Sequence, residues 1–95
     1  MNLEISGKTA LVTGASAGIG RAIAKALAAE GVKLAVAARR RDLLESLAGE
    51  IGAQLVIIEQ DMMAEDAAAK IVAQAIAGLG AVDILVNNAG GSRKF

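Results

Sequence analysis

The sequence of 95 residues contains no cysteine, histidine, tyrosine, tryptophan or proline, and its one aromatic residue is Phe95. Without cysteine and histidine there are no disulfides, no thiolate or imidazole metal ligands, and no Cys or His nucleophile or acid–base group. The absence of cysteine fits a reducing compartment, so we predict a cytoplasmic protein. The core must consist of Ala, Val, Ile and Leu, which is typical of parallel strands buried on both faces.

Charge is balanced, with ten basic and ten acidic residues. A formal net charge of zero gives no electrostatic basis for binding nucleic acid or an anionic membrane. The longest late stretch without charge, residues 71–82, is shorter than the roughly 20 apolar residues that a membrane span needs. Glu4 lies where a secretory signal would be basic or apolar, so we expect no signal peptide and no membrane association.

Short apolar runs alternate with stretches of helical periodicity along the whole chain. Strands are predicted at residues 9–13, 33–38, 55–58 and 83–87, and helices at about 19–27, 42–51 and 66–79. The order βαβαβαβ with short connections predicts an α/β fold, because right-handed crossovers place the strands in one parallel sheet. We expect a Rossmann-like, doubly wound sheet with the strand order 3-2-1-4.

The helix ends and faces also follow from residue types. Gly31 is expected to end the first helix, because glycine commonly follows the last helical residue. Asp42 is predicted to be the N-cap of the second helix. The third helix is predicted to turn an apolar face inward, formed by Ile71, Val72, Ala75, Ile76 and Leu79.

A glycine-rich segment, TGASAGIG at residues 13–20, joins the first strand to the first helix. Gly14, Gly18 and Gly20 give the spacing G-x-x-x-G-x-G. In such a position one glycine permits a sharp turn, one lets a pyrophosphate approach the backbone, and one lets the helix pack closely on the sheet. The helix N-terminus then offers free N–H groups to the phosphates. The alternative is a glycine-rich turn that binds nothing, but the strand before it and the helix after it favour a dinucleotide site.

Three arginines follow the second strand. A site for NAD usually has an acidic residue about 20 positions beyond the glycines, which binds the ribose 2′-hydroxyl. Here the strand ends in alanines and Arg39, Arg40 and Arg41 come next. A guanidinium can bind a 2′-phosphate bidentately, so the pattern favours NADP over NAD. The alternative is three solvated charges at a strand end.

These motifs, together with Asp61-Met62 after the third strand and Asn87-Asn88-Ala89-Gly90 after the fourth, resemble the short-chain dehydrogenase/reductase family over about residues 7–91. The resemblance implies a complete set of cofactor contacts. Ser16 and Ile19 would lie beside the glycines, and Arg39 and Arg40 would face the 2′-phosphate. The other implied contacts are Asp61 and Met62 at the adenine, Asn87 bracing the central strand, and Ala89 and Gly90 beneath the ribose.

Some of these residues have structural alternatives. Asp61 could cap the third helix, Asn87 could satisfy buried backbone, and Met62 could fill the core. The sequence also departs from the family in one respect. Members that prefer NADP often have a basic residue just before the second glycine, where this sequence has Ala17. Selection of NADP would then rest on Arg39 and its neighbours.

The family's catalytic residues are a Tyr-x-x-x-Lys pair, a Ser and an Asn, and the resemblance places all of them after the Asn-Asn-Ala-Gly turn. Ser92 comes too early for that Ser, and Lys94 has no Tyr partner. We therefore expect residues 1–95 to be the cofactor-binding portion of an oxidoreductase, truncated before its catalytic half, with a carbonyl or alcohol substrate only in the intact parent. The alternatives are a non-catalytic dinucleotide-binding module and a structural αβ module. An uncovered fourth strand further predicts a homo-oligomer.

Overall fold

A computed structural model of the protein describes residues 5–52, 55–61 and 64–88, and these form four strands and three helices. In chain order they are β1 (Thr9–Thr13), α1 (Gly18–Ala29), β2 (Lys33–Ala38), α2 (Arg41–Ile51), β3 (Val56–Glu59), α3 (Ala67–Leu79) and β4 (Ile84–Asn87). The predicted alternation is confirmed. The bounds of β1 and β2 agree with the prediction, and those of β3, α3 and β4 differ by one residue.

The strands form one parallel sheet in the order β3-β2-β1-β4, which confirms the predicted doubly wound α/β fold. Alternate residues of each strand enter two separate cores. Ala10, Val12 and Val36 pack with α1 and α2 on one face of the sheet, whereas Leu11 and Ala35 pack with α3 on the other. β1 and β2 are therefore buried along nearly their whole length, as strands covered on both faces must be.

Small residues bring the layers of the fold close together. Ala35 and Ala37 of β2 and Ala75 of α3 are fully buried in the core beneath α3. At Gly78 an added Cβ atom would lie 2.6 Å from a methyl carbon of Val56, so α3 crosses β3 at a point where a side chain does not fit. The abundance of alanine and glycine thus sets the spacing between α3 and the sheet.

The ends of α1 and α2 differ in how well the sequence predicted them. α1 ends at Ala29 and Gly31 follows with φ 85°, which confirms the predicted helix stop. The prediction that Asp42 caps α2 was wrong, since α2 begins at Arg41 with Arg40 as N-cap and no side-chain capping bond. Asp42 lies in the first turn instead, and its carboxylate accepts two hydrogen bonds from the Arg40 guanidinium. A bidentate hydrogen bond to a guanidinium is stronger than a bond to one backbone N–H, so the Asp42 carboxylate binds Arg40.

The predicted inner face of α3 was wrong in part. Ala67, Ile71 and Ala75 are buried, but Val72 and Ile76 are 40 % and 45 % exposed. The reason is position, because α3 packs on β1, β2 and β3 and presents Val72 to the flank beside β4. Leu85 of β4 is 59 % exposed on the same side. Apolar periodicity shows which residues can be buried, and only the tertiary arrangement decides which of them are covered.

The amino ends of β1 and β4 are joined by hydrogen bonds between Thr9 and Asp83. The N–H and Oγ1 of Thr9 donate to Asp83 Oδ2 at 3.0 and 3.2 Å, and the N–H of Asp83 donates to the carbonyl and Oγ1 of Thr9 at 3.0 and 3.1 Å. The donors on Thr9 favour the ionised carboxylate and so lower the pKa of Asp83 below its usual value. Ionised Asp83 therefore stabilises the pairing of β1 with β4.

We expect Asp83→Asn to lower the melting temperature at neutral pH and to flatten its dependence on acid. Because folding lowers the pKa of Asp83, its stabilisation is complete above the unfolded pKa of about 3.9 and is lost as the pH falls through the lower folded pKa. The difference between parent and variant should thus shrink in strong acid. Thermal unfolding followed by circular dichroism between pH 2 and 7 measures it.

Asp66→Asn is the matched control, because the Asp66 carboxylate at the N-cap of α3 pairs with Lys70 of the same helix, and among the described residues it makes no ion pair with the sheet. An Asp83→Asn variant as stable as the parent at pH 7 would contradict the role given to this carboxylate.

Candidate functional site

The carboxyl ends of all four strands lie at one edge of the parallel sheet. The loop from Gly14, the turn at Arg39, Asp61 and Asn88 follow β1, β2, β3 and β4 there. The strand order reverses between β1 and β4, since β2 and β3 continue on one side of β1 and β4 lies on the other. In doubly wound sheets ligands bind in the crevice at this reversal. The predicted glycine loop begins beside it.

The glycine loop turns sharply out of β1 and is tied to β2. Gly14 has φ 65°, and its N–H donates to the Ala37 carbonyl at 2.8 Å, while the N–H of Ala15 donates to the same oxygen at 3.3 Å. A positive φ at Gly14 is a conformation that other residues adopt only with strain. The first predicted glycine therefore permits the turn.

The second and third glycines have opposite surroundings. Gly18 has φ 63°, and an added Cβ atom would meet no described residue within 4 Å, so its position is open in the described part of the chain. At Gly20 an added Cβ would lie 2.2 Å from the carbonyl oxygen of Gly14 and 2.7 Å from Nδ2 of Asn88. Gly20 thus allows α1 to begin directly against the loop and against the end of β4, while Gly18 leaves space at the start of the helix.

The N-terminus of α1 has features that suit an anion. Ala17 is its N-cap, with extended backbone and no side-chain capping bond, and the first turn contains no acidic residue. The first N–H groups of a helix have no partner within the helix and lie at the positive end of its dipole. Ile19, in the first turn, is 72 % exposed although it is a large apolar residue. An uncapped helix end beside the open Gly18 position fits a phosphate group.

Hydrogen bonds join the glycine loop to the end of β4. The Thr13 hydroxyl donates to Asn87 Oδ1 at 3.1 Å and accepts from the N–H of Asn88 at 3.0 Å, and Asn88 Nδ2 donates to the Gly14 carbonyl at 3.3 Å. Asn87 thus contacts the neighbouring strand β1. Asn88 was not predicted as a site residue, although its place in an Asn-Asn pair directly after an apolar strand was a usable signal.

The three arginines after β2 differ in their partners. Arg40 pairs with Asp42 at 2.7 Å, and Arg41 pairs with Glu45 at 3.0 Å across one turn of α2. Arg39 is exposed and makes no ion pair with any residue that the structure describes. Hydrogen bonding to Asp42 raises the pKa of Arg40, and hydrogen bonding from Arg40 lowers the pKa of Asp42. Of the two arginines predicted to face a 2′-phosphate, Arg39 is thus the one without a competing carboxylate among the described residues.

Arg21 connects the glycine loop to α2 and was not predicted from the sequence. Its guanidinium donates to the carbonyls of Ser16 and Leu43 at 3.3 and 3.1 Å and to Ser46 Oγ at 3.2 Å, and it pairs with Glu50 at 2.9 Å. Its side chain is only 19 % exposed. Since α2 begins just after Arg40, this contact fixes the arginine turn relative to the loop. A single arginine on a helix gives no sequence signal for such a role.

The remaining predicted residues have fewer observed contacts. Asp61 is exposed after β3, and its carbonyl accepts from the N–H of Ala64 at 3.1 Å. Asp61 does not cap α3, because the N-cap of that helix is Asp66. Met62, Ala89 and Gly90 lie outside the described residues. No helix among the described residues has the length and apolar character needed to cross a membrane.

Residues 8–95 match the family model described as short chain dehydrogenase. The chain belongs to this family. The match confirms the resemblance that the glycine loop and the Asn-Asn-Ala-Gly turn indicated, and the described sheet is the nucleotide-binding portion of the Rossmann fold of these oxidoreductases.

Within the aligned segments, similar proteins are between 36 % and 50 % identical to this chain. It is 50 % identical over 93 residues to a short chain dehydrogenase of Pseudocercospora fijiensis, covering 95 % of this chain and 30 % of that protein. It is 43 % identical over 90 residues to L-xylulose reductase of Bos taurus, covering 94 % and 34 %. A hydroxysteroid dehydrogenase from Escherichia coli superposes with a TM-score of 0.81 at 36 % identity, covering 90 % and 37 %.

The Brucella melitensis 3-ketoacyl-(acyl-carrier-protein) reductase, whose structure is a complex with NADH, gives a TM-score of 0.79 at 36 % identity, covering 86 % of this chain and 34 % of that protein. The chain thus spans about a third of the length of these short-chain dehydrogenases.

We expect Gly20→Ala to destabilise the protein by about 1–3 kcal/mol, because the new methyl group would overlap the Gly14 carbonyl and force the loop to move. Gly49→Ala is the matched control. Gly49 lies within α2, where an added Cβ meets nothing within 4 Å, so alanine should stabilise the helix by up to about 1 kcal/mol. Urea denaturation followed by circular dichroism measures both changes. Equal stability of the two variants would show that the loop does not need a glycine at residue 20.

Proposed function

We propose that the chain binds NADP(H) as the cofactor-binding portion of a cytoplasmic short-chain oxidoreductase. The observation that carries this proposal is the start of α1, where an uncapped helix end meets the open, positive-φ position of Gly18. The family match supports it, because the Rossmann glycine loop binds the pyrophosphate of a dinucleotide in this place.

The other predicted residues would complete the cofactor site. Gly14 and Gly20 shape the loop, with Ser16 and Ile19 beside the phosphates, and Asn87 holds β4 against β1. In this proposal Asp61 and Met62 contact the adenine and Ala89 and Gly90 lie beneath the ribose. The bound nicotinamide would supply the hydride acceptor or donor for alcohol oxidation or carbonyl reduction, and the described residues bind and orient it.

The choice between the two cofactors rests on the turn after β2. An acidic residue there would bind a 2′-hydroxyl, but this chain has exposed Arg39 directly after the strand. The structure of the similar reductase from Brucella melitensis is a complex with NADH, so NAD is the alternative cofactor. The positive charge of Arg39 supports NADP(H), because a guanidinium binds a phosphate with charge-assisted hydrogen bonds.

In the whole protein we propose that the substrate is a small carbonyl compound or alcohol, as the family resemblance implies. The 95 residues contain no tyrosine, so the tyrosine general acid of the family must come from outside them. Residues 1–95 would then bind the cofactor without turning over a substrate.

Arg39→Asp should reverse the cofactor preference. Removing a charged hydrogen bond to the 2′-phosphate should weaken NADPH binding by about tenfold or more, and the new carboxylate should leave NADH binding equal or stronger. Paired calorimetric titrations of both cofactors into parent and variant measure the change.

The control is Arg41→Asp, which makes the same change of net charge two residues further along. Arg41 pairs with Glu45 along α2, so this variant should keep the preference for NADPH. A parent protein that binds NADPH and NADH with equal affinity would refute the assignment of NADP(H).

We also propose that the chain forms a homo-oligomer through β4 and the adjoining flank of α3. Val72 and Leu85 are exposed apolar residues that line a groove of about 90 Å³ next to Thr13, and Ile76, one turn further along α3, is also exposed. In the described sheet β4 pairs only with β1, so its outer row of N–H and C=O groups is open to another strand. A second copy has the same uncharged strand and the same apolar flank. Two copies related by a two-fold axis would pair β4 with β4 and place the two apolar flanks in contact.

Leu85→Lys should shift the protein toward monomer, because it places a charge at the centre of the proposed contact. Multi-angle light scattering over a range of concentrations measures the mass. Ile19→Lys is the control, since Ile19 is also a large, exposed apolar residue but lies at the start of α1. A monomeric parent would refute the proposal, and a dimer that Leu85→Lys leaves intact would place the contact elsewhere.

A further inference from the structure

The turn between β2 and α2 contains both a candidate phosphate ligand and its competitor. Arg39 and Arg40 follow the strand, and Asp42 comes two residues after Arg40 in the first turn of α2. Arg40 Nε donates to Asp42 Oδ1 at 3.0 Å, and its terminal nitrogen donates to Oδ2 at 2.7 Å. Both oxygens of the carboxylate are thus bound by one guanidinium.

This pairing changes what the turn offers to an anion. The fork of N–H groups that would bind a phosphate bidentately is bound to a carboxylate instead, and the charge of Arg40 is balanced. Asp42 also brings its own negative charge to the turn that contains Arg39. An aspartate is ionised at neutral pH, and hydrogen bonding from Arg40 lowers the pKa of Asp42 further below its usual value. A 2′-phosphate at this turn would meet one arginine that has no ion pair among the described residues, and one carboxylate.

We propose that Asp42 is a specificity-determining residue that weakens the discrimination for NADP(H) over NAD(H) by holding Arg40 away from the 2′-phosphate. The inference rests on the proposed function, because it assigns a specificity-determining role at the same cofactor site. Asp42 thus reduces the preference for NADP(H) that Arg39 favours. The affinity of this turn for a phosphate is therefore lower than three consecutive arginines would suggest, because Arg40 and Arg41 are paired with carboxylates.

The neighbouring ion pair on α2 provides an internal comparison. Arg41 and Glu45 form an exposed pair of the same charge type, with Nε of Arg41 3.0 Å from Glu45 Oε2. That pair spans one helical turn within α2, whereas the pair of Arg40 and Asp42 joins the N-cap to the first turn. Removing either acid changes the net charge equally, and only Asp42 holds an arginine that directly follows Arg39.

The test is calorimetric titration of NADPH and NADH into the parent protein, D42N, D42A and E45Q. Exposed ion pairs contribute little, so releasing Arg40 should strengthen NADPH binding by about two- to fivefold. NADH binding should not change, because NADH has no 2′-phosphate. E45Q should leave both affinities as in the parent. Circular dichroism checks that each variant keeps its helices, and D42A keeps the test valid should the asparagine form a new capping bond.

A double-mutant comparison separates release of Arg40 from the simple loss of a negative charge. If Arg40 is held by Asp42, the gain in NADPH affinity that D42N produces should disappear when R40Q is also present. A gain that persists in the double variant would show that Arg40 is not involved and would overturn the proposal. An unchanged ratio of NADPH to NADH affinity in both D42N and D42A would also overturn it. In that case NADPH binding by the parent would still support the proposed function, whereas a parent that binds neither cofactor would refute both.

Discussion

The pairing of β1 with β4 is the contact on which the rest of the structure depends. It is held at both ends, by Thr9 and Asp83 at the amino end and by Thr13 with Asn87 and Asn88 at the carboxyl end. This pairing creates the reversal of strand order, and the reversal opens the crevice beside the glycine loop. Without β4 in this place, Asn88 would not reach the Gly14 carbonyl.

Small residues make that arrangement possible. Alanines of β2 lie fully buried under α3, and Gly20 and Gly78 mark two points where backbone meets its neighbour too closely for a side chain. Because small side chains let the helices and the sheet pack closely, a chain without tyrosine, tryptophan or proline still forms a layered core. The position of Gly18 differs from both of these glycines, because no described residue beyond its neighbours in the chain lies within 4 Å of a Cβ atom added there.

Much of the fold could be predicted because it follows from local patterns. Continuous apolar runs identified β1 and β2 to the residue, and Gly31 ended α1 where expected. The errors arose where a long-range contact decides the outcome. Periodicity does not show that Val72 is exposed in the described structure, and no sequence pattern indicates that Arg21 reaches the carbonyls of both Ser16 and Leu43. The residues of the candidate site could be predicted because they follow the ends of strands. Their hydrogen-bond partners could not be predicted, because these depend on the assembled sheet.

The position of β4 in the chain has a consequence for folding kinetics. Thr9 and Asp83 are 74 residues apart in sequence, whereas β1 pairs with β2 across a single helix. Closing a longer loop costs more chain entropy, and contacts between distant residues slow folding. We therefore expect the sheet to grow from β1 and β2 and to add β4 late. The hydrogen bonds of Asn88 to the glycine loop would then form in the final step, so the crevice is completed only when the whole described sheet has folded.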